Sequence, residues 1–127
     1  MVKIKIAVAG CLGRMGQELT KQIITNKKLE FVGGFEHKNH KDINKYFNKV
    51  SDIKSTKLID SDPTISIKLA KVLIDFTTPK STLDNIRIAS LNKTAVIIGT
   101  TGMTDAQKKK VKSYAKKIPI FISSNMS

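Results

Sequence analysis

The sequence contains no tryptophan, one cysteine and three prolines, and aromatic residues make up only 6% of it. A lone thiol, Cys11, cannot close an intrachain disulfide, which agrees with a reducing compartment. No histidine adjoins it in sequence to activate it, so its expected role is that of a small side chain in a turn. No apolar run reaches the ~20 residues that span a bilayer. The start also lacks the charged segment, apolar core and cleavage site of a signal peptide. The expectation is a soluble, cytoplasmic protein with no membrane partner. Acids are scarce as well, ten against 23 basic residues, for a net charge of +13. Such a balance invites nucleic acid, but the charge is nearly all lysine spread along the chain, with Arg14 and Arg87 the only arginines. Aromatic residues do not interleave it to stack bases, so no nucleic-acid partner is expected. The dense run at Lys108, Lys109, Lys110 and Lys112 reads as one solvated helix face.

What the sequence does have is concentrated near its start. Ile4, Ile6 and Val8 alternate as in a strand, and Leu12, Met15, Leu19 and Ile23 recur at helical spacing. Between them stand Gly10, Gly13 and Gly16. Glycine at position 10 lets a strand turn sharply, and glycine at 13 leaves no side chain between the backbone and a bound pyrophosphate. Gly16 allows the helix to pack close on the strand. The unpaired N–H groups at the helix start favour an anion there. A second apolar run, Leu29 to Phe35, ends at Glu36, twenty residues beyond Gly16, where a carboxylate can accept hydrogen bonds from the adenosine ribose. Together these predict a dinucleotide site.

Along the chain, residues 3–9 form the first predicted strand, a helix runs from about Gly13 to Asn26, and Leu29 to Phe35 is the second strand. Gly33 and Gly34 are expected to leave room close to an adenine. His37 to Thr56 reads as loop with a short helical piece around Ile43 to Phe47, and Lys57 to Ile59 as a short strand. Asp62 and Pro63 open a helix to Leu69, and VLIDF from Val72 to Phe76 is a buried strand. Thr78 and Pro79 start the next helix, with Leu83, Ile86 and Ser90 on one face. Thr94 to Ile98 is a strand, Thr104 with Gln107 is a capping box for the helix after it, and PIFIS from Pro119 to Ser123 is the last strand. His37 and His40 are too few ligands for a metal and read as surface histidines.

Alternating strands and helices over 127 residues predict a single α/β domain, residues 1–127, with a Rossmann-like doubly wound parallel sheet. Ligands on such sheets bind beyond the carboxyl ends of the strands. The segments at those ends are the glycine turn, Glu36, Phe76 to Thr78, Gly99 to Gly102 and Ser123 to Met126.

The segments VAGCLGRMG, GGFE, IDFTTP, VIIGTTG and SSNMS, in this order and spacing, resemble the amino-terminal cofactor-binding domain of the 4-hydroxy-tetrahydrodipicolinate (dihydrodipicolinate) reductases. The resemblance runs from the first strand to the last residue. It implies an oxidoreductase of lysine and diaminopimelate biosynthesis using NADH or NADPH. On this chain the pyrophosphate loop would be Gly10, Cys11, Leu12, Gly13, Arg14 and Met15, with Glu36 on the adenosine ribose. His37 falls where many members carry a basic residue for the NADPH 2′-phosphate, and Lys38 is beside it, which leaves the choice of cofactor open. Phe76 and Thr77 would border the nicotinamide, with Gly99, Thr100 and Thr101 at its ribose and carboxamide. Thr101 would also approach a substrate carboxylate. Ser123, Ser124, Asn125 and Met126 would close that side, although the family usually has an aromatic residue where Met126 stands.

Family members continue into a second domain that carries a histidine-rich motif, a catalytic lysine and a Gly-Thr pair gripping substrate, and that builds a homotetramer. No such segment exists here, so no catalytic residue is expected in this chain. The resemblance implies a fragment of a longer reductase, with a free cofactor-binding module as the other choice. Two rival functions remain at this level: the nucleotide half of another NAD(P)-dependent dehydrogenase, such as a homoserine or aspartate dehydrogenase, and a non-enzymatic module that senses dinucleotides or binds nucleic acid.

Overall fold

Apolar side chains alternate between two buried layers along the central strands. In a computed structural model that describes residues 2–123, Ile6 and Val8 of β1 (Ile4–Ala9) enter one layer, while Ala7 and Ala9 enter the other. The same alternation puts Leu73 and Ile74 of β3 (Val72–Asp75) on opposite faces. Strands apolar on both faces need cover on both faces, which parallel βα units supply. Helix α1 (Arg14–Thr25) and the single turn α2 (Phe47–Val50) bury Ile23 and Phe47 on one side. Helices α3 (Pro63–Leu69), α4 (Pro79–Leu91) and α5 (Asp105–Tyr114) bury Ile67, Ile86 and Val111 on the other.

The sheet has five parallel strands in the order β2-β1-β3-β4-β5, where β2 is Leu29–Phe35, β4 Ala95–Ile98 and β5 Ile120–Ile122. This is the doubly wound sheet the sequence predicts. The chain moves outward from β1 to β2, then returns to pair β3 on the other side of β1. The switch point therefore opens between the carboxyl ends of β1 and β3, the place where such sheets take ligands. The helix starts follow the predicted caps. Asp62 accepts the Thr64 N–H at 2.9 Å, Thr78 accepts that of Ser81 at 3.4 Å, and Thr104 and Gln107 form their reciprocal box.

Three expectations are corrected. The short helix lies at Phe47–Val50 rather than Ile43 to Phe47, because Asn44 takes a left-handed φ of 65° that a helix cannot hold and Phe47 anchors the turn edge-on to Phe31. Lys57 to Ile59 is no strand: the segment makes isolated bridges, Leu58 to Tyr46 and Asp60 to Phe35. Gly33 and Gly34 make room for the protein, not for an adenine. A Cβ on Gly33 would collide with the Ser66 side chain of α3, and one on Gly34 would lie 2.8 Å from Cβ of Cys11 and 2.9 Å from the Phe47 ring. The register shift in the β1–β2 pairing, where Ile6 faces Phe31 and Ala7 faces Gly33, turns that stretch of β2 toward α3.

Candidate functional site

At the switch point lies a cleft of about 700 Å³, within the usual range of ligand sites. Gly10 and Gly13 line one wall, Glu36 and His37 the end of β2, and Phe76 and Thr77 the end of β3. Chain segments far apart in sequence thus converge on one opening.

The glycine turn is shaped by backbone contacts. Gly10 has a φ of +76°, and a Cβ on it would come within 2.5 Å of the Phe76 carbonyl oxygen, so the ends of β1 and β3 approach only because no side chain intervenes. Its N–H donates to the Phe35 carbonyl at 3.0 Å, tying the turn to β2 as well. Gly13 differs. A Cβ there would meet only the Gly10 carbonyl oxygen, at 3.4 Å, so packing does not demand glycine, and the free space opens on the cleft. Gly13 is also the N-cap of α1, where no side chain makes a capping hydrogen bond and the first turn carries no acid. A dipole end with unpaired donors and clear space in front of it fits a pyrophosphate.

Glu36 is placed by the same turn. Its Oε2 accepts the Leu12 N–H at 2.8 Å, so the carboxylate braces the loop before any ligand arrives. Among the described residues Oε1 makes no hydrogen bond, which leaves it free for a ribose hydroxyl. Arg14, the first residue of α1, and Lys38, two residues beyond Glu36, are exposed cations. Cys11 points the other way. Its side chain is fully buried in the layer with Phe47, and burial, reinforced by the nearby Glu36 charge, pushes its thiol well above the usual range. The folded chain should therefore resist iodoacetamide at mildly alkaline pH under conditions that fully label the urea-unfolded chain. Rapid labelling of the folded form would show that the turn opens.

The remaining predicted residues that the structure describes lie outside the cleft lining. Leu12 is half-buried against the α1 layer, contributing its backbone, and Met15 is exposed. Gly99 packs directly on the Phe76 ring, and Thr101 is exposed on the following loop. Thr100 is buried and joined to the cleft wall by its Oγ1, which accepts the Thr77 N–H at 3.1 Å. The Ser123 N–H donates to the Ile98 carbonyl at 2.9 Å, continuing β5 beside β4. Ser124, Asn125 and Met126 fall outside the described residues. His37 and His40 stack edge to face with ring centres 5.7 Å apart, and among the described residues no group of three or more His, Cys, Asp or Glu could hold a metal.

Sequence reading missed the far wall of the cleft, where Ser61 and Pro63 precede and open α3 while Ser81, Asp84 and Asn85 line the first turns of α4. It also missed Asp75, which is fully buried at the end of β3. Asp75 Oδ1 accepts the Thr77 N–H at 3.0 Å and hydroxyl at 2.6 Å, and Oδ2 accepts Asn85 Nδ2 at 2.9 Å. Burial raises its pKa, and the bonds from Thr77, Asn85 and Thr82 partly offset that. An acid inside the apolar run VLIDF was the signal available. The buried face of α4 is accordingly Thr82, Asn85, Ile86 and Ala89; of the expected stripe, Ile86 is buried and Leu83 packs half-buried against the core, while Ser90 is not part of the buried face.

Comparison with known proteins follows the same lines. The family model described as dihydrodipicolinate reductase, N-terminus, matches residues 4–126. A protein named 4-hydroxy-tetrahydrodipicolinate reductase from Pelagibacter ubique (strain HTCC1062) is 41% identical over all 127 residues, which cover 45% of its length. Its namesake from Buchnera aphidicola subsp. Baizongia pistaciae (strain Bp) is 37% identical over 98% of the chain, covering 46% of that protein. The chain thus spans about half the length of the curated relatives it matches. Among solved structures, a dipicolinate-bound dihydrodipicolinate reductase from Paenisporosarcina sp. TG-14 superposes with a TM-score of 0.76 at 24% identity, over 98% of this chain and 48% of that one. A homoserine dehydrogenase from S. aureus superposes at 0.71 and 17% identity, over 98% and 33%, a likeness of fold alone.

Proposed function

Because the chain belongs to the family of dihydrodipicolinate reductase amino-terminal domains, we propose that it is the nucleotide-binding half of an NADH- or NADPH-dependent reductase that converts 4-hydroxy-tetrahydrodipicolinate to tetrahydrodipicolinate. The observation that carries this reading is the uncapped start of α1 with clear space at Gly13, set beside a carboxylate at the end of β2. In this role the N–H groups of the first turn of α1 hold the pyrophosphate, and Glu36 accepts from the adenosine ribose. Phe76 and Thr77 border the nicotinamide, with Gly99, Thr100, Thr101 and the segment from Ser123 to Met126 on its far side. When bound, the dinucleotide supplies the hydride. The chain's own contribution is orientation, which accounts for on the order of 7–11 kcal/mol of barrier in well-placed reactions. We assign no proton donor to this chain, and place the protein in the cytoplasm, as one part of a homotetrameric reductase that takes no nucleic acid.

Glu36→Ala tests the reading. Loss of a hydrogen bond to a charged group removes about 1.5–3 kcal/mol, so NADH affinity measured by calorimetry should fall about 10- to 100-fold. Unchanged affinity would remove Glu36 from the ribose. The 127 residues alone should bind NADH without reducing substrate, and measurable turnover would contradict the assignment.

A further inference from the structure

We propose that Asp75 is a positioning residue for the nicotinamide end of the cleft: one buried carboxylate holds Thr77, Thr100 and Asn85, brought together from three chain segments, in a single arrangement. This rests on the dinucleotide reading above.

The sheet shows how unusual the residue is in its place. In register across the strands, Asp75 stands between Ala9 and Ile98, with Phe35 and Ile122 further out, so the row is otherwise apolar. An apolar residue at this position would pack without the cost of dehydrating a carboxylate. Among the described residues no ion pair reaches Asp75, and its partners are all neutral donors. Stability alone therefore does not account for it.

What the carboxylate does hold is the cleft wall. Thr77 gives it both N–H and hydroxyl, which fixes the turn after β3 and the Thr77 rotamer. The Thr82 hydroxyl lies 3.1 Å from Oδ1 and 2.8 Å from Thr100 Oγ1, which links the loop after β4 to the same centre. Asn85 lines the cleft, and its Nδ2 can face only an acceptor such as Oδ2, so the amide orientation is set by Asp75. With asparagine at position 75, an NH₂ group would face either the Thr77 donors or the Asn85 amide, and part of the arrangement would be released.

The test compares NADH with ADP, which lacks the nicotinamide riboside, by calorimetry on the whole chain. Asp75→Asn should weaken NADH about tenfold and leave ADP within about twofold. Thr82→Val, which cuts the link between Asp75 and Thr100 without touching the cleft, should do the same, and Thr82→Ser, which keeps the hydroxyl, should restore NADH affinity. If Asp75→Asn does not fold, the Thr82 pair decides. Equal losses for NADH and ADP, unchanged NADH binding, or serine and valine behaving alike at position 82 would overturn the proposal. A parent chain that binds neither nucleotide would overturn the dinucleotide reading itself, a result distinct from all of these.

Discussion

A chain carrying Gly13→Asp is expected to bind NADH on the order of a hundredfold more weakly than the parent while folding at least as stably. The two effects share one cause. Gly13 has φ −68° and ψ 168°, extended geometry open to any residue, and a Cβ there meets nothing closer than the Gly10 carbonyl oxygen at 3.4 Å. Aspartate is among the preferred N-cap residues, and α1 now has no side-chain cap, so the carboxylate would satisfy free donors and interact well with the dipole. A gain of a few tenths from the cap, rising to about 1 kcal/mol with the dipole, follows. On the reading proposed above those donors hold the pyrophosphate, and the new negative charge would stand beside its phosphates. Calorimetric titration with NADH and a urea melt read the two effects separately. Parent-like affinity in this variant would show that the diphosphate binds elsewhere.

Gly10→Val should destabilise the fold by about 2–5 kcal/mol, a large share of the ~5–15 kcal/mol typical of a domain. The φ of +76° costs a branched side chain about 1–2 kcal/mol, and its Cβ would lie 2.5 Å from the Phe76 carbonyl oxygen, which is backbone and cannot swing aside. To relieve that contact β1 and β3 must part at their carboxyl ends, which opens the sheet at its switch point. The urea midpoint should fall with an unchanged slope. A loss under about 1 kcal/mol would mean that the turn reaches another conformation cheaply.

Why one site was readable in advance and another was not depends on the range of the interactions. Glu36 could be placed at the end of β2 and on the cleft because that position depends on spacing from the glycines along one βα unit. Its bond to the Leu12 N–H could not be read, since that needs the end of β2 to lie against the loop. Gly33 and Gly34 carry the same lesson: small residues near a ligand site looked like space for the ligand, but the close neighbours are Ser66 and Phe47, from elements far along the chain. Thr82 and Asn85 are polar, so periodicity found Ile86 and Leu83 on α4 but passed over those two and took Ser90 instead. The polar residues face inward because Asp75 is there to receive them.

The sequence by itself determined the alternation of strands and helices, their caps, the glycine turn and the acid at the end of β2, because each is encoded in residues within a turn or two of one another. Only the tertiary structure decided that Gly13 is free where Gly10 is not, that α3 and α4 supply the far wall of the cleft, and that a buried carboxylate ties two loops together. Those features are distances between segments that meet only when the sheet forms, and no local pattern carries them.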